Sequence, residues 1–168
     1  MLIAPRPDDI SNPESPSVLV VPDRIWRAMI DHALTAGPNE SVGLLATMGD
    51  GSVVVAAAWF PGTNVDASPM RYTMDRTEVE VAVERMARSG WTLGAIVHSH
   101  PDDPAVPSET DWREHRYPNA LMGIISLAAD RPDLRAWALR RKRFGAARRM
   151  VEIAVRTVAQ PTTDEEHW

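Results

Sequence analysis

The stretch WTLGAIVHSHPDDPAVPSETD, residues 91–111, decides how this chain is read. Its first part is an apolar run without helical spacing, bounded by Ser89-Gly90 before it and a proline after it, which predicts a buried strand from Trp91 to His98. On a strand, side chains at i and i+2 project from one face. His98 and His100 therefore leave the strand end on the same side and can aim two imidazoles at one point. A proline-rich loop then leads to Ser108-Glu109-Thr110-Asp111, where a short helix begins. Ser-x-x-Asp reads as a capping box, and a carboxylate in the first turn of a helix can still reach outward to an ion. Zinc takes imidazole nitrogen at about 2.0–2.1 Å and carboxylate oxygen at about 2.0–2.2 Å; two histidines and one carboxylate leave a fourth tetrahedral position for water, as a catalytic site requires.

Outward from this stretch the chain alternates strands and helices. Val18 to Val21 is a short apolar strand, and Pro22-Asp23 opens a helix with Asp23 as N-cap. Ile25, Trp26, Met29, Ile30, Ala33 and Leu34 recur at helical spacing as its buried face. Gly37-Pro38 ends it, the glycine in a left-handed turn. Strands Val42 to Met48 and Val53 to Phe60 are joined through Gly49-Asp50-Gly51, and Pro61 to Pro69 is a polar, exposed loop. Asp75 with Glu78 makes a capping-box start to a second helix lined by Val79, Ala82, Val83, Met86 and Ala87, and Ser89-Gly90 stops it. Downstream, Leu121 to Leu127 is a buried strand, and Arg135 to Arg140 with Val151 to Val158 form a hairpin with a basic turn. The expected architecture is a single α/β domain over residues 17–159, a mixed β-sheet flanked by helices. Residues 1–16 read as a flexible leader and 160–168 as a flexible tail.

Composition narrows the chemistry. The chain of 168 residues holds no cysteine, which excludes a disulfide framework, a thiolate nucleophile and a cysteine-ligated metal. A bound metal must be held by nitrogen and oxygen. No apolar run approaches the roughly 18 residues of a membrane helix, and Asp8 and Asp9 stand where a signal peptide needs basic residues. A cytoplasmic location and no membrane partner are expected. Half of the 18 basic residues lie between Arg131 and Arg156, where the acids are Asp133 and Glu152. This segment reads as a solvated arginine-rich hairpin, or as a docking surface for an acidic partner or nucleic acid. No aromatic interleaving accompanies the charge, which disfavours nucleic acid.

The whole pattern, His-Ser-His-Pro followed by Pro-Ser-x-x-Asp with ten residues between the second histidine and the aspartate, resembles the signature of the JAMM (MPN-plus) metalloproteases. That signature includes an upstream glutamate in a segment ending Gly-Leu, matched here by Asn39-Glu40-Ser41-Val42-Gly43-Leu44. The resemblance covers roughly residues 18–158. It implies an MPN-like fold of the cytidine-deaminase-like sandwich type and one zinc ion per chain. It makes His98, His100 and Asp111 the ligands, Glu40 the catalytic acid and base, and Ser108 a hydroxyl that helps hold the tetrahedral intermediate. Ser99, facing the other side of the strand, is expected to support the ligands. His32 is expected at the surface, His115 close enough to orient substrate, and His167 in the tail. The family acts on the amide bond after the C-terminal glycine of ubiquitin-like proteins. The short segment Trp112 to Ala120 favours the compact prokaryotic type, including those acting on sulfur-carrier proteins with a Gly-Gly terminus. A homo-oligomer is left open. The competing reading is a non-hydrolytic module that binds a ubiquitin-like tail or nucleic acid. Other His-x-His hydrolases fit less well: metallo-β-lactamase-like enzymes need histidine where this chain has Asp103, and amidohydrolase barrels need about 250 residues.

Overall fold

The computed structural model describes residues 15–49, 51–141 and 148–159. Most of the expected leader, the tail with His167, Asp50 of the first hairpin and the basic turn 142–147 lie outside the described residues. Ten elements follow in order: β1 (Val18–Pro22), α1 (Asp23–Ala36), β2 (Val42–Met48), β3 (Val53–Gly62), α2 (Arg76–Ser89), β4 (Thr92–His100), α3 (Glu109–Glu114), β5 (Leu121–Ser126), β6 (Asp133–Arg141) and β7 (Arg148–Val158).

The strands form one mixed sheet in the order β1-β3-β2-β4-β5-β6-β7. Its architecture departs from the expected flanked, sandwich-type sheet: β7 returns to β1 and the sheet closes into a barrel. The closing pair runs parallel, from Val18 opposite Ala154 to Pro22 opposite Val158. The other parallel pairs are β1 with β3 and β4 with β5. β2–β3, β2–β4, β5–β6 and β6–β7 are antiparallel.

Alternation along each strand sorts the side chains into clusters. Leu19, Val21, Leu45, Ala95, Val97, Ile125, Ala136 and Ile153 share one core with Ile25, Met29 and Ala33 of α1. The apolar stripe of α1 is thus buried against strands from the whole sheet. On the other face, Ala82 and Met86 of α2 pack on Leu44 of β2 and its neighbour Ala46. Beneath β5 a third cluster joins Met122 and Ile124 to Ala105. There the loop after β4 takes the covering role of a helix, pinned by Ser126 Oγ donating to the Asp103 carbonyl at 2.7 Å.

Helix ends follow local chemistry with three corrections. Asp75 caps α2, its side chain accepting from the Glu78 N–H, and Gly90 ends it in the left-handed region at φ 69°. Glu78 does not complete the box; its carboxylate accepts from the Thr63 N–H and hydroxyl. The N-cap of α1 is Pro22, not Asp23, which is already helical and pairs with Arg27. Gly37 is extended, φ −54° and ψ 143°, rather than left-handed. Leu34, in the predicted buried face, is 59% exposed, while its neighbour Ala33 takes the core position at 0%; nine residues on from Ile25, Leu34 lies about half a turn round the helix from the core stripe.

Candidate metal centre

β4 lies between β2 and β5, and its last three residues are buried. His98 and His100 turn to one face, as the strand period requires, and their Nε2 atoms stand 3.2 Å apart. The Asp111 carboxylate closes the triangle, Oδ1 at 3.2 Å from His98 Nε2 and Oδ2 at 3.3 Å from His100 Nε2. Asp111 sits there because Ser108 caps α3 in a full capping box. The Ser108 N–H and hydroxyl both donate to Asp111 Oδ2, at 2.8 and 2.7 Å, and the Asp111 N–H returns to Ser108 Oγ at 3.1 Å. The capping and ion-facing readings of Asp111 are therefore one geometry.

Donor chemistry tests the fit of a metal. A tetrahedral ion with arms of about 2.0–2.1 Å has ligand atoms about 3.3 Å apart, the spacing between the two Nε2 atoms and from each of them to its nearer Asp111 oxygen. His100 Nδ1 lies 2.9 Å from the Pro104 carbonyl, an acceptor that assigns the ring proton to Nδ1. Its Nε2 then faces a carboxylate oxygen at 3.3 Å, a pairing that calls for positive charge between them: a proton in the metal-free site, or a metal ion in its place. The residues fit zinc.

Glu40 precedes β2 and is placed by main-chain ties on both sides. Its N–H donates to the Ser68 carbonyl at 2.9 Å, and its carbonyl accepts from Asn64 Nδ2 at 3.0 Å. Next to it, Ser41 N–H donates to Ser99 Oγ at 2.8 Å and Ser99 N–H returns to the Ser41 carbonyl. Ser99, between the two histidines, thus fixes the Glu40 segment to the strand that carries them. The Glu40 side chain is 5% exposed and its Oε2 has no hydrogen-bond partner among the described residues. Burial, with Asp111 and Asp103 adding repulsion and His100 opposing, pushes its carboxyl from 4.5 up to about 7. Asp111 goes the other way. Burial works against its charge, yet hydrogen bonds with His100, His98 and Ser108 hold it well below the usual carboxylate range.

Tyr72 and Asn64 enter from the loop between β3 and α2. The Tyr72 ring stacks on His98 at 4.5 Å between centroids and 26° between planes, and burial raises its hydroxyl well above the ordinary phenol value. It forms one wall of an apolar cavity of about 380 Å³, shared with Val42, Leu44, Met74, Val79 and Ile96. Asn64 binds Glu40 and the Arg71 carbonyl through Nδ2, and accepts from the Thr73 and Asp66 N–H groups. The sequence offers little for either: an aromatic ring and an asparagine in a polar, turn-rich segment. Of the other histidines, His32 is corrected and His115 lines the cavity beside Tyr72. His32 is half-buried, with Nε2 3.1 Å from the Val42 carbonyl and its ring edge-on to Trp59. His115 is buried with Nε2 3.0 Å from the Ala120 carbonyl, a bond that braces the chain between α3 and β5.

The arginine-rich hairpin lies away from this centre. His100 pairs with Ser126 and Ser126 with Asp133, so β6 begins at the site. The rungs Arg140 with Arg149 and Arg141 with Arg148 are at its far end, about 25 Å along the strand at roughly 3.4 Å per residue. No described helix is long and apolar enough to cross a membrane.

Comparison with known proteins agrees with the geometry. The chain is 37% identical over 115 residues to a probable TtuB-protein conjugate cleaving protease of Thermus thermophilus, covering 67% of this chain and 74% of that one. It is 31% identical over 109 residues to a CysO-cysteine peptidase of Mycobacterium tuberculosis, covering 65% and 73%. The solution structure of protein DSY2949 from Desulfitobacterium hafniense superposes with a TM-score of 0.74 at 30% identity, covering 89% of this chain and 99% of that one. The family model of prokaryotic homologs of the JAB domain matches residues 22–140, and the chain belongs to that family, the compact prokaryotic branch of the JAMM/MPN proteins.

Proposed function

We propose that the domain over residues 17–159 is a zinc-dependent peptidase. Its substrate is the amide bond after the C-terminal glycine of a ubiquitin-like or sulfur-carrier protein ending in Gly-Gly. The observation that carries this is the convergence of His98, His100 and Asp111 at 3.2–3.3 Å, beside the buried Glu40 carboxylate, whose Oε2 has no partner among the described residues. Relatives named for cleaving a protein conjugate and for a CysO-cysteine peptidase support a carrier protein as substrate and an amine as leaving group. The apolar cavity behind Tyr72 and the 63–75 loop supply a wall for an extended tail, where glycine avoids side-chain clashes at the narrowest point.

His98, His100 and Asp111 would hold the zinc ion, which would supply Lewis acidity for activating a water and polarising a carbonyl oxygen. Glu40 takes the proton of the attacking water and delivers it to the departing amine. Burial raises this carboxyl and a nearby cation lowers it again, and a catalytic group serves both directions best when its pKa lies near the operating pH. Ser108 first holds Asp111 through its hydroxyl, then turns that O–H to the developing oxyanion. Such donors are worth about 2.7–4 kcal/mol in other hydrolases.

The test is incubation with Gly-Gly-tailed proteins carrying cysteine, a peptide or a lysine-linked partner, read by intact mass. Cleavage after the last glycine, abolished by a chelator and restored by zinc, is expected. Glu40→Gln is expected to keep zinc content while lowering turnover by about 10²–10⁴-fold. His98→Ala is expected to lose zinc and activity together. Near-normal turnover in the Glu40→Gln variant removes the role given to that carboxylate, and wild-type protein that binds no zinc removes the whole reading.

A further inference from the structure

Metal-ligating histidines almost always donate their second ring N–H to an acceptor, which fixes the tautomer and the plane of the ring. His100 follows this rule through Nδ1 and the Pro104 carbonyl. His98 does not: it is fully buried and its Nδ1 has no hydrogen-bond partner among the described residues. Yet its Nε2 must point at the same ion, so something else has to hold the imidazole plane.

We propose that Tyr72 is the positioning residue for His98, setting the imidazole plane by ring stacking in place of the missing hydrogen bond. The proposal rests on His98 being a metal ligand. The two rings lie nearly parallel, at 4.5 Å and 26°, whereas the other ring beside His98, that of His100, is tilted by 56° at 5.1 Å and offers no flat surface. Tyr72 is itself held on both sides. Asn64 accepts from the Thr73 N–H at 3.1 Å and donates to the Arg71 carbonyl at 3.0 Å, clamping the residues before and after the ring. The same amide donates to the carbonyl of Glu40 at 3.0 Å. A single loop thereby sets the plane of one ligand and the backbone of the carboxylate beside it.

The experiment compares Tyr72→Phe and Tyr72→Leu with wild type. Zinc affinity is measured by competition with a chromophoric chelator, and ligand geometry by the visible spectrum of the cobalt-substituted protein. Stacking predicts that Tyr72→Phe binds zinc within about two-fold of wild type with an unchanged cobalt spectrum. Tyr72→Leu is predicted to weaken zinc by about 10–100-fold, the range for lost ligand support, and to shift the spectrum. Equal affinity in Tyr72→Leu and wild type overturns the proposal, as does a loss in Tyr72→Phe as large as in Tyr72→Leu, which would make the hydroxyl the active group. Melting of the metal-free variants checks the fold. If Tyr72→Leu melts early, Tyr72→Trp decides instead, because a retained ring must keep affinity if stacking is the cause. Zinc binding by wild type tests the ligand reading separately, so the two failures are distinguishable.

Discussion

Glu40 is the residue at which burial and chemistry pull apart. A carboxyl raised from 4.5 to about 7 binds more protons in the folded than in the unfolded state between those values. The charged form therefore costs stability, and the cost is absent below pH 4.5, grows as pH rises to 7 and stays constant above. In the metal-free protein, Glu40→Gln is expected to gain stability relative to wild type across that window, by up to roughly 3 kcal/mol at pH 8. Denaturant titrations of both proteins at pH 4 and pH 8 measure it; a difference that does not change with pH contradicts the buried, raised carboxyl. In the zinc-loaded protein a nearby cation favours the ionised form, so the acid limb of the activity profile falls below 7. The clustering of His98, His100 and Asp111 was legible because its geometry is local, the i, i+2 rule orienting the histidines and Ser-x-x-Asp the carboxylate; their reading as a ligand set came from the resemblance of the whole pattern. Tyr72 and Asn64 were not legible, because their partners, His98 and Glu40, lie 26 and 24 positions away and meet only through a loop conformation that no periodicity encodes.

Elements bring those residues into register, and Gly43 shows how tightly. It sits in β2 between the Glu40 segment and the core, where a Cβ would stand 2.2 Å from the Trp59 ring and 2.7 Å from the Phe60 carbonyl oxygen. The Gly-Leu ending of the glutamate segment thus has a packing reason: the indole of β3 lies directly over the β2 backbone. The carbonyl oxygen belongs to the neighbouring strand and cannot rotate away as a side chain can. Gly43→Ala is expected to destabilise the protein by about 1–3 kcal/mol, the usual cost of overpacking. This corresponds to a fall of about 2–12 °C in melting temperature for a chain of this size. Gly51→Ala, where an added Cβ meets nothing within 4 Å, is the control and should melt with wild type. Equal melting of both variants shows that β2 and β3 separate at little cost. Helix positions were read well where a side chain caps the end, as at Asp75 and Ser108. They were misread at Asp23 and Gly37, where the same residue types occur without the capping geometry.

At the scale of the molecule, the closed sheet is what the sequence conceals, because closure joins its first and last strands. β1 and β7 pair in parallel over five rungs, though Val18 and Ala154 lie 136 positions apart in sequence and neither strand carries a signal for the other. The matched family segment, residues 22–140, stops short of both, so whether closure is needed for the fold is a physical question about this chain. Removing β7 strips the ladder from β1 on one side and β6 on the other, and opens the core that Ala136, Ala138 and Ile153 share with α1. It also removes Arg149 from opposite Arg140, where like charges across a ladder are unfavourable, and with it Glu152, whose carboxylate stands 3.9 Å from Arg135. These two electrostatic changes oppose one another at the exposed surface, so the loss of stability comes from backbone pairing and buried apolar surface. A chain ending at Arg141 is expected to lose its cooperative melting transition, and to self-associate through the two unpaired edges it exposes. Calorimetry and light scattering read both effects. A shortened chain that stays monomeric and melts within a few degrees of the full one would show that the barrel is an embellishment on an open sheet, with the metal centre built entirely by β2, β4, β5 and α3.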